Sequence, residues 1–62
     1  MRSDILKVFR ESHAAATIEI ELCELLIVGH RNDDEVCAAL AAIQARYEAL
    51  ADELETQIQA LK

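Results

Sequence analysis

A few residues in this 62-residue chain have types and spacings that invite chemistry. Cys23, His30 and Cys37, with Asp33 and Asp34 beside them, surround the only glycine. Thiolate, imidazole and carboxylate all ligate zinc, but structural zinc sites use tighter pairs such as Cys-x-x-Cys. Without such a pair, two free thiols packed as small apolar groups are expected, not a metal site or a disulfide. Glu19 is the second candidate. It repeats at intervals of seven with Ile5, Ser12 and Leu26, and Ala15, Ala16, Leu22 and Cys23 lie one turn away. A carboxylate in that setting holds a metal or substrate, fixes helix register and partner choice, or escapes to a wet rim. The register role is the expectation, with Ser12 as a second core polar candidate. Di-iron bundles carry Glu-x-x-His. Here Arg10 stands three residues before His13 and Ile27 three before His30, so no ferritin-like site is expected.

The remaining polar candidates have plainer readings. His13, at the polar edge of the first apolar arc, and His30, near the glycine, are expected to be solvated. Tyr47 is expected to bury its ring and send its hydroxyl to an edge or to Ser12. Glu48, Asp52 and Glu55 form an acidic line, read as a solvated face, with docking of a basic partner as the alternative. Nucleophile elbows, phosphate-cradling glycine loops and Cys/His dyads are missing. No catalytic residue, metal or cofactor is therefore assigned, and an enzyme is not expected.

Two helices would position these side chains. Gly29 to Asp33 is the one segment with turn chemistry. Gly29 suits a helix C′ position with positive φ, Asn32 with Glu35 fits a capping box, and Ser3 suits the cap of a first helix. The pattern predicts a single all-α, antiparallel hairpin domain over 1–62: helix about 4–28, turn 29–32, helix about 33–61. The second helix carries one stripe at spacings of three and four. Its interface members are Leu40, Ile43, Tyr47, Leu50, Leu54 and Ile58, flanked by Val36 and Leu61, with the geometry of a coiled-coil seam. Ala38, Ala42, Ala45 and Ala49 lie on nearly the opposite side.

The first helix is apolar around more than half its circumference. Ile5, Val8, Phe9, Ala15 and Ala16 begin the predicted interface, and Ile18, Leu22, Cys23 and Leu26 continue it. One neighbouring helix covers a stripe of only ~100° or slightly more. The remaining arc would be a bare apolar patch of the kind soluble monomers avoid. A second hairpin is expected to cover it, most simply in a twofold homodimer forming a four-helix bundle.

Composition agrees. Twelve Asp and Glu against six Lys and Arg give a net charge of -6, and there is no proline or tryptophan and only 3% aromatics. A disulfide scaffold and a Pro/Gly-rich disordered chain are excluded, and a β-sandwich is not expected. The longest apolar run, Val36 to Ile43, falls far short of the ~20 residues of a membrane span, so no membrane association is expected. Residues 1–31 carry four basic and five acidic groups and residues 32–62 two and seven, so the acidity sits in the second half. That balance argues against nucleic acid as a partner. The mixed-charge start without a signal peptide points to a reducing cytoplasm.

In outline the expected architecture is similar to the plasmid RNA-regulating hairpin dimer Rop, and also to the helical-hairpin chaperones of bacterial secretion systems. The resemblance spans the whole chain and rests on no shared motif. It implies a four-helix dimer, with RNA binding as one alternative function. The expected function is self-association and protein–protein binding, as an adaptor, chaperone or regulator. A metal-binding bundle is a further alternative.

Overall fold

The computed structural model describes residues 1–62 as two helices and no strands: α1, Arg2–Gly29, and α2, Asp34–Leu61. They lie antiparallel as a hairpin. Each has 28 residues, close to 42 Å of helix at about 1.5 Å per residue. The molecule is accordingly a rod, 48 × 14 × 12 Å, with a radius of gyration of 14.3 Å. A compact chain of this length would have about 11 Å.

The ends of the helices differ from the sequence expectations in three places. α1 begins at Arg2 with Met1 as its N-cap and no side-chain cap, so Ser3 lies inside the helix. Gly29 is the last helical residue and does not have positive φ; His30 follows as C-cap at φ -117°. The helix closes through the His30 backbone N–H, which donates to Leu26 O and Ile27 O, so no left-handed residue is needed. At the start of α2 the cap is Asp33, one residue later than Asn32. Its Oδ1 accepts from the Val36 backbone N–H at 3.2 Å. A carboxylate there satisfies a free N–H and also meets the positive end of the helix dipole.

The seam between the helices is regular. On α1 the half-buried or buried residues are Leu6, Phe9, His13, Ala16, Ile20, Cys23 and Ile27. On α2 they are Cys37, Leu40, Gln44, Tyr47, Ala51, Leu54, Ile58 and Leu61, with Val36 half-buried at its edge. Both lines alternate steps of three and four, the spacing that keeps one face toward one partner helix. Only Ala16, Cys23, Ala51, Leu54 and Ile58 are fully buried.

The stripe read on α2 divides within one chain. Leu40, Tyr47, Leu54 and Ile58 pack against α1, whereas Ile43 and Leu50 point away and stay about half exposed. Cys37, Gln44 and Ala51 take their place. The cause is the breadth of the apolar face. The strongest hydrophobes run along a line midway between the seam and its neighbouring flank, so one helix partner accepts only half of them. His13 is corrected: it is half-buried in the seam, not solvated.

Candidate association surface

Beside the seam, α1 carries a second line with the same alternation: Ile5, Val8, Ser12, Ala15, Glu19, Leu22 and Leu26, all exposed. On α2 the corresponding line is Val36, Ala39, Ile43, Arg46, Leu50, Glu53 and Gln57. Each line is one helical position off the seam in the same rotational sense. In an antiparallel pair such positions fall on the same side, so the two lines together form one long flank of the hairpin. A shallow open groove lined by Ile43, Arg46, Tyr47 and Leu50 runs along its α2 half.

The apolar character of this flank is large for so small a chain. Ile5, Val8, Leu22, Leu26, Ile43 and Leu50 are all between 42% and 56% exposed. On the outer face of α1, Ile18 and Leu25 are 56% and 69% exposed, and Val28, on the opposite flank, 66%. Of the nine α1 residues expected at the interface, Phe9, Ala16 and Cys23 are used by the intrachain seam, and the other six remain in water. The total accessible surface is 4745 Å², whereas a compact monomer of 6.9 kDa would expose about 4,000 Å². The excess is of the order of one partner's share of a standard interface, roughly 800 Å².

The opposite flank is polar along its middle, with exposed alanines and Val28 toward its turn end. Arg10, Thr17 and Glu24 of α1 lie there with Glu48 and Glu55 of α2, all exposed. Gln44 Nε2 donates to Glu24 Oε1 at 3.2 Å across the helices. Asp52, Glu55, Thr56 and Gln59 line a second open groove without any apolar residue. Both Glu19 and Ser12 are exposed on the apolar flank, so within one chain Glu19 keeps its hydration and needs no buried partner.

The residues around the turn tie the chain reversal together. The Cys37 thiol donates to His30 O at 3.2 Å and lies 3.7 Å from Ile27 O. His30 Nδ1 lies 2.8 Å from Leu26 O, so that nitrogen carries the proton and donates. Cys23 is buried in the seam, and both thiols are free. No three His, Cys, Asp or Glu side chains gather where they would hold a metal ion, and no helix is long and apolar enough to cross a membrane.

The interface residues read from the sequence omit Leu6, Ile20, Ile27, Cys37, Gln44 and Ala51 of the seam. An alternation counted from Phe9 to Ala16 to Cys23 would have found Leu6, because each member lies seven residues from the next and Leu6 three before the first. Gln44 and Ala51 carry no hydrophobic signal strong enough to compete with Ile43 and Leu50. Beyond the geometry, comparison adds no family assignment: no protein-family model, curated protein or solved structure matches the chain.

Proposed function

We propose that this chain is a small non-enzymatic helical-hairpin protein that acts by self-association and by binding another protein, as an adaptor, chaperone or regulator. The apolar flank carries this reading. It runs nearly the length of the rod, and intrachain packing leaves it in water. Burying a large apolar side chain contributes about 1.5–3 kcal/mol, and six such side chains stand half exposed on this flank. A dimer forming a four-helix bundle covers them while leaving the polar flank and the acidic line Glu48, Asp52 and Glu55 outside for a second protein. Free Cys23 and Cys37 support a reducing, cytoplasmic setting.

Sedimentation equilibrium across micromolar concentrations tests the reading. A folded dimer with a concentration-dependent melting temperature supports it. A stable, fully helical monomer overturns it.

A further inference from the structure

We propose that the occupant of the apolar flank is a second copy of this chain, docked so that α1 lies antiparallel against the partner's α1 and the two turns sit at opposite ends. This rests on the self-association reading above and adds its geometry.

The flank line of α1 reads the same in both directions. Ala15 is its midpoint. Stepping outward, Ser12 mirrors Glu19, Val8 mirrors Leu22, and Ile5 mirrors Leu26. The order is therefore apolar, apolar, polar, alanine, polar, apolar, apolar. A twofold axis across the rods at Ala15 places each residue opposite its mirror image. Large apolar side chains then meet at both ends, and alanines at the centre let the helices approach closely. Each Ser12 hydroxyl faces the partner's Glu19 carboxylate and can donate to it, twice per dimer.

Charge agrees with this placement. Cys37 lies against Ile27 across the turn. Glu19 is eight residues back from Ile27 and Arg46 nine beyond Cys37, so the two are level to within about one residue rise, ~1.5 Å. Both are exposed on this flank. The twofold brings the two Glu19 side chains to about 10 Å apart along the rod, and each has an Arg46 beside it within a Debye length. The other twofold arrangement, with turns at the same end, sets α1 against the partner's α2. Heights are kept in that arrangement, so Glu19 meets the partner's Arg46, but Ser12 meets the partner's Glu53 and Val8 the partner's Gln57, leaving an apolar side chain on an amide where the antiparallel dimer gives it Leu22.

Electron-spin distance measurement decides between them. Asn32→Cys is spin-labelled on a Cys23→Ala, Cys37→Ala background whose helicity is first checked by circular dichroism. Turns at opposite ends give a label separation approaching the 48 Å length of the rod. Turns at the same end give no more than about 20 Å, one interhelical spacing plus the label arms, which overturns the arrangement while leaving self-association intact. A monomer at every concentration fails the earlier reading instead. If the cysteine-free background does not fold, Val8→Gln in the otherwise native chain decides. The antiparallel dimer weakens roughly tenfold or more as each glutamine meets the partner's Leu22. Unchanged affinity, as glutamine meets the partner's Gln57, overturns it.

Discussion

The two flanks of the hairpin border the same seam and are built by the same helices, yet they are chemically opposite. One presents Arg10, Thr17, Glu24, Glu48 and Glu55 to water and is laced by the Gln44–Glu24 hydrogen bond. The other presents Ile5, Val8, Leu22, Leu26, Ile43 and Leu50, all about half exposed. A hairpin that functioned alone would gain from polar residues on both sides. The asymmetry leaves one boundary mostly polar and the other mostly apolar, which is what the proposed association draws on. It also explains why five fully buried residues suffice in the single chain. In the proposed dimer the core is split between a narrow seam inside the hairpin and a flank between the two chains.

Substitutions can be graded by which of these surfaces they touch. Leu54→Ala empties a buried seam position and is expected to lose about 2–5 kcal/mol, read as loss of cooperative thermal unfolding followed by circular dichroism. Leu22→Lys leaves the seam intact and charges the apolar flank. It should raise the dimer dissociation constant by two to three powers of ten, because about 2 kcal/mol of burial is lost in each protomer. Sedimentation that still gives a dimer of wild-type affinity would break the contrast between the flanks.

Smaller effects sharpen it. Asp33→Ala removes the α2 cap and should lower stability by about 1 kcal/mol by thermal melting, without changing the oligomeric state. Glu19→Leu is expected to keep or raise the melting temperature while producing mixed oligomers by native mass spectrometry, since a polar residue fixes register more than it stabilises. A large loss of stability would instead mark Glu19 as a paired carboxylate. Gly29→Ala should stabilise by roughly 0.4–1 kcal/mol, because Gly29 is helical and a Cβ there meets nothing within 4 Å.

The sequence made some of this architecture legible and concealed the rest for identifiable reasons. Two helices and one turn followed from a lone glycine between two periodic apolar segments, and the helix bounds agree within two residues. The caps did not follow, because Asn32 and Asp33 are both good N-caps and adjacent; only the Asp33–Val36 bond separates them. The excess girth of α1 was visible because Ile5, Val8, Ile18, Leu22 and Leu26 cannot all meet one neighbour. The division of α2 was hidden. A stripe containing Leu40, Ile43, Tyr47 and Leu50 scores well as a single face, although half belongs to the seam and half to the flank. His13 was misplaced because polarity suggested water, whereas its spacing from Phe9 and Ala16 sets it in the seam.

The corner of the hairpin contains no left-handed residue, glycine included. Reversal of the chain is therefore not enforced by any backbone conformation that ordinary side chains resist. It rests on the backbone bond from Asp33 N–H to His30 O and on the Asp33 carboxylate, the Cys37 thiol and the His30 ring, each bonded to nearby main chain. Few single changes would be needed to let the two helices run on as one continuous rod and exchange halves with a neighbour. The same stripes would then be satisfied between molecules, so the turn, and not the seam, is where a domain-swapped topology would begin.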